Sequence, residues 1–532
     1  MDGGEHTEII IAGLLLAVAA LVTLARVLNV PYPIFLVLGG LALGAIPGMP
    51  DIQLDPELVL LIFLPPLLYG AAFFASLRDL RRNVGPISAL SVGLVLVTCV
   101  AVAVVVHAVV PGMSWAAAFV LGAIVSPTDP VAATAIASRL GLPRRVVVVV
   151  EGESLINDAT AITAYRVAVV AVTAGTFSVT DAGSRFLLAA AGGVVIGLVV
   201  GWVVAVVRRR LDDVPVEITI SLFTGFAAYL PAEALGVSGV LAAVTAGIYL
   251  GWLAPRIASP EMRMQGRAVW EFVVFLLNGV LFVLIGLQLP SVLDAVAGID
   301  PLTLAGYALA TIAAVVGTRF LWLFTTPYLL RVLDRRPNQA ERRVGAAPRI
   351  VLSWAGMRGA VSLAAALALP LETDAGGPFP ERDLVIFLAY CVVLFTVVVQ
   401  GLTLPALIHR LGVVDDGAEE QAEEHAARIA ASEAALIALD DLAEAEWTRD
   451  GSVERMRRLY EFRRRRFATL RGDLDDEDGI VDQSLAYQRL LHAVIEAQRV
   501  AIVQMRNDGS ISAEVMRRVE RDLDLEETRL ED

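Results

Sequence analysis

The stretch "SPTDPVAATAI", Ser126 to Ile136, decides how this chain is read. It sits inside an apolar run, residues 114–137, yet two prolines, Pro127 and Pro130, flank a hydroxyl and a carboxylate, Thr128 and Asp129. Proline has no backbone N–H, so carbonyls one turn earlier lose their helical partners. In lipid, such a break survives only where it is buried in protein or lines a watery cavity. The run therefore splits into two half-helices whose ends carry partial charge. A free carbonyl, the Thr128 hydroxyl and the Asp129 carboxylate then converge at mid-depth. These are hard oxygen ligands suited to a small alkali cation. Taken alone, the same residues also fit a proline kink with a capping aspartate.

That the run lies in lipid follows from composition. Hydrophobic residues make up 57% of the 532 and charged residues 18%, against roughly 25% charged in soluble domains. Thirteen apolar runs fall between residues 9 and 411, most of them near the ~20 residues that span hydrocarbon. The second, 33–46, is short and reads as half-spanning. The runs are continuous, not alternating, which excludes a transmembrane β-barrel. The acidic start, Met1 to Glu8, lacks a basic n-region, so the first run reads as a span and not as a cleaved signal peptide. The expected fold is an all-α polytopic membrane protein of about thirteen transmembrane helices.

All 42 basic residues are arginine, and those between the runs gather in the loops after odd-numbered runs, while the alternate loops hold almost none, with Arg185 and Arg382 at their edges. These loops carry Arg78, Arg81 and Arg82, then Arg139, Arg144 and Arg145, then Arg208 to Arg210. Arg256, Arg263, Arg267 and the cluster from Arg331 to Arg349 follow. The positive-inside bias puts the N-terminus outside and the C-terminus in the cytoplasm. Cys99 and Cys391 lie in apolar runs and the five histidines are scattered, so neither a disulfide nor a metal-ligand spacing is expected.

Composition changes near Asp415. Residues 415–532 hold 30 acids and 17 arginines, whereas the preceding 414 hold 26 and 25, so the acidity of the chain lives in its tail. Residues 418–447 have a helical composition, Arg463 to Arg466 form a basic run, and Ser512 is placed to cap a final amphipathic helix. The reading is a transmembrane domain over 1–413 and a solvated cytoplasmic helical tail over 414–532. No nucleic-acid motif accompanies the arginines.

Charges inside spans are costly and mark function by default. Glu217, Glu233 and Glu261 lie near segment ends and read as solvated at the interface. Glu271, Arg166 and Arg319 read as structural pairs or snorkelling groups, with substrate contact the other option. Asp129, Glu153, Asp158 and Arg358 remain. In "EGESLINDATAI", Glu151 to Ile162, the four-residue spacing puts Ser154 and Asp158 on one helical face and Glu153 and Asn157 on the adjacent one. A shielded carboxylate such as Asp158 is costly to keep charged unless a cation neutralises it. It therefore holds a proton or a cation in competition, which is the chemistry of a proton-coupled antiporter.

The second half of the chain carries a matching irregularity. In "SWAGMRGAVSLAAAL", Ser353 to Leu367, Gly356 and Gly359 surround Arg358 and permit a second extended break. Interrupted spans in corresponding halves point to inverted repeats with a site at mid-membrane. If the two breaks cross, Arg358 lies close enough to pair with Glu153.

"SPTDPVAA", "GESLINDA" and "GMRGAVSLA", in this order, resemble the monovalent cation/proton antiporters, in the bacterial branch related to the eukaryotic sodium/proton exchangers. "FLPPLLYGAAF" (Phe63 to Phe73) and "LNGVLFVLIGLQLP" (Leu277 to Pro290) are similar to the same family, over about residues 9 to 411. The resemblance implies a thirteen-span homodimer in the bacterial plasma membrane, with a dimerisation part and a six-helix core that moves to alternate access. It makes Asp158 the carboxylate that binds cation or proton, with sodium held by Asp158, Ser154 and Thr128 and no other cofactor. Asn157 would stand where electrogenic relatives carry a second aspartate, which implies electroneutral exchange. Asp129 would balance the half-helix ends, and Glu153 and Arg358 would form a buried core pair. Gly70 stands where many members carry an acid after the "LPPLL" stretch. A potassium/proton antiporter of the same fold is the alternative. An intramembrane aspartyl protease would have Asp129 and Asp158 as its only candidate aspartates, but the Gly-x-Gly-Asp stretch of that class is absent. A gated channel would need a continuous polar pathway, which the spans do not offer.

Overall fold

The computed structural model describes residues 2–28, 30–46, 56–174, 179–211, 213–333, 345–414, 417–445, 447–476 and 479–531. Part of the Arg331–Arg349 cluster, residues 334–344, lies outside them. The described residues are helical apart from turns and an isolated bridge between Glu372 and Pro378. They form two compact units, Met1–Asp415 and Asp416–Asp532.

The first unit opens with α1 (Asp2–Val27), α2 (Tyr32–Gly44), α3 (Pro56–Phe74) and the short α4 (Leu77–Arg82). Next, α5 (Val84–Ser88), a π-helical stretch (Ala89–Leu94) and α6 (Val95–Val109) run on as one span. The halves α7 (Trp115–Val125) and α8 (Pro130–Leu140) are separated by the break at Ser126–Asp129, and α9 (Arg144–Thr173) follows unbroken. Then come α10 (Val179–Arg208), α11 (Val214–Ala234), α12 (Gly239–Ile257), α13 (Pro260–Leu287), the short α14 (Leu289–Ala295) and α15 (Pro301–Leu333). A second interrupted pair, α16 (Ala346–Trp354) and α17 (Ala360–Leu367), precedes the last span. That span is α18 (Arg382–Leu394), a π-helical stretch (Phe395–Gln400) and α19 (Gly401–Leu411). Among the described residues, nine helices are long and apolar enough to cross a membrane, and three shorter apolar helices accompany them.

Local chemistry sets the helix starts. Ser114, Ser238 and Ser259 each accept a hydrogen bond from a backbone N–H three residues on, at 3.1–3.2 Å. Asp213 does the same for Val216 at 3.0 Å. Each satisfies an amide that the first turn leaves unpaired. Proline in the first turn of α11 and α13 adds a preset φ at no cost in hydrogen bonds.

The unit contains two bundles. α1–α3 pack with α10–α13, while α6, α9, α15 and α18 pack around the interrupted helices α7–α8 and α16–α17. Between them runs an apolar seam, in which Leu64, Leu68 and Ala72 of α3 and Val240, Ala243 and Val244 of α12 meet Leu155 and Ala159 of α9. Aliphatic side chains of this kind pack without directional bonds to break.

Glu217 departs from its expected place. It is not solvated at the interface but buried, its Oε2 accepting from Arg208 Nη2 at 3.2 Å and Nε at 3.4 Å. The side chains of Arg208 and Glu217 are 0% and 4% exposed. A position near a segment end suggested water; the tight turn from α10 into α11 instead folds the two ends onto each other.

The second unit contains α20 (Ala418–Ala443), α21 (Asp450–Arg471), α22 (Ile480–Asn507) and α23 (Ala513–Glu531). Arg457 bridges Asp440 at 2.5 Å between α20 and α21. Arg499 bridges Asp524 at 2.5 Å between α22 and α23. Ser512 caps α23, accepting from the Val515 N–H at 3.2 Å.

Removing one partner of a buried ion pair strands the other charge, a loss of ~3–5 kcal/mol, whereas an apolar pair of similar volume is close to neutral. Glu217→Ala is predicted to lower the unfolding midpoint of the purified protein markedly, and Arg208→Met with Glu217→Leu to regain most of it. A Glu217→Ala midpoint equal to wild type would show that the pair contributes nothing.

Candidate functional site

The two interruptions meet. The Asp129 N–H donates to the Met357 carbonyl at 2.8 Å, joining the α7–α8 break to the α16–α17 break. Pro127 and Pro130 explain the first break and Gly356 and Gly359 the second, and in each the extended residues expose backbone groups that a regular helix would hide.

The crossing brings four half-helix ends together, and two charged side chains face them. Asp129 lies at the N-terminal ends of α8 and α17. Its Oδ1 accepts from the Val131 N–H at 2.9 Å. A Cβ at Gly359 would lie 1.7 Å from Asp129 Oδ2, so the carboxylate occupies space that any other residue would fill. Arg358 serves the opposite ends. Its Nε donates to the Val125 carbonyl at the end of α7, at 3.0 Å, and its Nη1 donates to the Gly356 carbonyl just after α16. Its own backbone N–H is taken by Thr396 Oγ1 at 3.0 Å. An anion at helix N-termini and a cation at C-termini are both favourable placements.

Arg358 therefore does not pair with Glu153 as expected. That partner is Arg319 of α15, whose Nη1 and Nη2 reach Glu153 Oε1 and Oε2 at 2.5 and 2.9 Å in a two-pronged bridge. The side chains are 1% and 2% exposed. The Arg319 Nε also donates to the Leu352 carbonyl at 3.1 Å, on α16. Gly356 makes room, since a Cβ there would lie 2.3 Å from the Arg319 Nε. The planar guanidinium fits a carboxylate at two points, and the carbonyls freed at the breaks hold Arg358 elsewhere. The sequence exposes Arg319 as an intramembrane charge, but no spacing rule links it to a glutamate 166 residues away.

From Glu153 the network continues into the break. Thr128 Oγ1 donates to Glu153 Oε1 at 3.0 Å. Asn157 Nδ2 donates to the Thr128 carbonyl at 3.1 Å and to Thr128 Oγ1 at 2.9 Å. Asn157 is wholly buried, and its Oδ1 has no hydrogen-bond partner among the described residues; neither has the buried Ser154 Oγ. Buried polar atoms without partners are uncommon and ask for an occupant. Asp158, one helical turn from Ser154, opens into a small cavity lined also by Pro127, Ile124, Tyr165, Val361 and Ser362. Its free space, about 10 Å³ to the centre of a water molecule, is near the minimum for one small occupant. Tyr165, Val361 and Ser362 carried no signal in the sequence beyond their membership of apolar helices.

The remaining intramembrane charges are tied down away from this site. Arg166 bridges Glu233 at 2.5 Å, and Glu233 also accepts from the Gly239 N–H at 3.1 Å. Glu271 pairs with Arg267 one turn away at 2.9 Å. At Gly70, the ring of Trp270 closes over the backbone, 3.0 Å from where a Cβ would stand. The Trp270 Nε1 donates to Ser221 Oγ at 3.0 Å.

Arg319→Ala is predicted to leave Glu153 charged and unpaired in the crossing, with a stability loss of ~3–5 kcal/mol. Arg319→Lys should fall between, because an ammonium cannot make the two-point contact. Midpoints from heating followed by size exclusion measure both; an Arg319→Ala midpoint at the wild-type value would contradict the geometry.

Comparison with known proteins extends these observations. Residues 13–410 match the transmembrane family of sodium/hydrogen exchangers. An uncharacterized Na(+)/H(+) exchanger of Mycobacterium tuberculosis is 39% identical, over 100% of this chain and 97% of that protein. The low-affinity Na(+)/H(+) antiporter NhaS1 of Synechocystis is 33% identical over 84% of this chain and 82% of its own length. A sodium, potassium, lithium and rubidium/H(+) antiporter of Bacillus pumilus is 34% identical over 75% of this chain and 61% of its own. Among solved structures, the sodium proton antiporter MjNhaP1 of Methanocaldococcus jannaschii has a similar fold, with a TM-score of 0.58 at 20% identity, over 76% of this chain and 99% of that one. Membership in a family of transporters sets aside the protease reading. A chain whose crossing helices, buried carboxylates and full-length relatives agree in this way belongs to the sodium/hydrogen exchanger family, as an integral membrane cation/proton antiporter.

Proposed function

We propose that the exchanged cation is sodium and that Asp158 is the group that carries it in competition with a proton. The observation that supports this reading is that Asp158 lines a small cavity together with Pro127 of the first break and Ser362 of α17, one helical turn from Ser154, on the helix that carries two buried oxygens without a hydrogen-bond partner among the described residues, Ser154 Oγ and Asn157 Oδ1. A carboxylate with neutral oxygens is a suitable shell for a hard cation. When the ion leaves, a buried charge is too costly to keep, and a proton takes its place. The Thr128 carbonyl, which has a second lone pair beyond the one Asn157 uses, completes the shell. Lithium and potassium are the competing ions, and the breadth printed in the name of the Bacillus pumilus relative makes potassium the second reading to test.

The cycle that fits this site is alternating access. The bundle holding the crossing slides along the apolar seam of α3 and α12, with the chain crossing the bacterial plasma membrane thirteen times as a homodimer. The arginine-rich loops and the tail face the cytoplasm, and the N-terminus faces outward. The role is regulation of internal pH and sodium. Within the site Asp158 is the group assigned to carry the proton: Asn157 has no proton to release, Glu153 is bridged by Arg319, and Asp129 accepts from the first turn of α8.

Two outcomes follow for protein reconstituted in liposomes with an internal pH dye. Asp158→Asn should lose cation-driven proton movement with sodium, lithium and potassium alike while remaining folded; persisting exchange would sink the assignment. One cation against one proton moves no net charge, whereas an uncompensated charge would feel ~2.3 kcal/mol per 100 mV. Sodium-driven exchange should therefore keep the same rate with or without an imposed membrane potential. A sustained dependence on potential would mean that a second group titrates in the cycle.

A further inference from the structure

The basic run on α21 lies outside the unit that carries the proposed ion site, and its surroundings point to a task of its own. α21 carries eight arginines against three acids, while the rest of residues 415–532 carries nine arginines against twenty-seven acids. The concentration of positive charge on one helix is therefore not a property of the whole tail. Two of its guanidiniums and one from α20 lie over two of its rings. Arg428 and Arg466 lie over Phe467 at 5.1 and 5.2 Å, and Arg463 lies over Tyr460 at 5.6 Å. Arg428 has Glu424 as partner at 2.6 Å, whereas Arg463 and Arg466 form no ion pair with any described residue. Burial, and then the neighbouring charges of Arg428 and Arg463, hold the Arg466 guanidinium below its ordinary pKa. Arg463 and Arg466, like charges close together with no ion-pair partner among the described residues, are stabilised by an external anion.

The same helix presents apolar side chains among these arginines. Met456, Leu459 and Leu470 are 45%, 45% and 40% exposed. With Arg463 and Arg466 they follow steps of three and four residues, the spacing of one helical stripe. A helix that mixes exposed apolar groups with arginine suits the headgroup zone of an anionic bilayer, where carbon enters the acyl boundary and guanidiniums meet phosphate. Connectivity permits this. α20 begins seven residues after α19 ends, a tether of at most ~25 Å. α21 runs antiparallel to α20, since Asp440 meets Arg457 near the far end while His425 and Arg428 meet Phe467 near the start. The Arg463–Arg466 segment is thus folded back to the part of α20 nearest the last span in the chain, ~15 Å along that helix.

We propose that α21 is an interfacial helix whose Arg463, Arg464 and Arg466 dock on the phosphate headgroups of anionic lipids in the bilayer that holds the transmembrane unit. The test uses the full-length protein in nanodiscs and reads hydrogen exchange over residues 455–471. Nanodiscs of phosphatidylcholine alone are compared with nanodiscs that also contain phosphatidylglycerol. Exchange in α21 should slow roughly fivefold or more in the anionic discs. High salt should erase the difference, because screening shortens the reach of surface charges. Arg463→Gln with Arg464→Gln, which leaves the packing around Phe467 in place, should also erase it, while protection of residues 433–440 of α20 stays unchanged. Equal exchange in the two discs overturns the proposal. Protection by pyrophosphate in phosphatidylcholine discs, matching that of phosphatidylglycerol, overturns it in favour of a free-phosphate site. Protection that follows protein concentration and not lipid overturns it in favour of a second copy of the acidic tail.

Discussion

The crossing of two interrupted helices imposes one requirement on everything around it. Each interruption ends one helix and starts another, so four sets of unpaired backbone groups meet deep in a membrane protein, where no bulk water satisfies them. The chain answers with one charge of each sign. Asp129 takes the amino ends and Arg358 takes the carbonyl ends. A direct backbone bond from Asp129 to Met357 locks the two breaks in register. Because both residues are occupied in this way, a different pair must hold the neighbouring helices, and Glu153 and Arg319 do so. The polar chain from Arg319 through Glu153 and Thr128 ends at Asn157, the residue before Asp158 in α9. The proposed ion site is thus the open end of a network whose other members are fixed.

Much of this was legible in the sequence because the cause was local. Pro127, Pro130, Gly356 and Gly359 announce broken helices by their own backbone chemistry, and the four-residue spacing of Ser154 and Asp158 announces a shared face. The partner of Glu153 was not legible. Arg358 was the nearer candidate by motif, and the true partner sits on a separate helix, reachable only after α15 packs against α16. Arg208 with Glu217 shows the same limit: a residue near a segment end reads as solvated until the turn that buries it is known. Tyr165 and Ser362 line the cavity without any mark that separates them from other residues of apolar helices.

The tail and the transmembrane unit obey different rules. Inside the spans of the latter, ionic groups are few, and pairs such as Arg319 with Glu153 and Arg208 with Glu217 are buried at close range, so each constrains a helix. In the tail, charges are many and exposed, and bridges such as Arg499 to Asp524 are screened by water and salt. A change of one charge would be felt strongly in the first and weakly in the second. Only a dense local excess, such as that on α21, gives a tail charge a structural meaning.

The π-helical stretch in the last span has a consequence for how that span tolerates length changes. Its wider turn puts one extra residue into the helix between α18 and α19, and Thr396 within it accepts the backbone N–H of Arg358. Deleting that residue would not simply shorten the helix. It would close the wide turn into an ordinary one and displace Thr396, so that the Arg358 N–H loses its acceptor while Leu404 and Ile408, both fully buried, shift along the axis against their packing partners. The last span is therefore keyed like a bolt with a single seating. Insertions and deletions that a loop would absorb are felt here at the crossing itself.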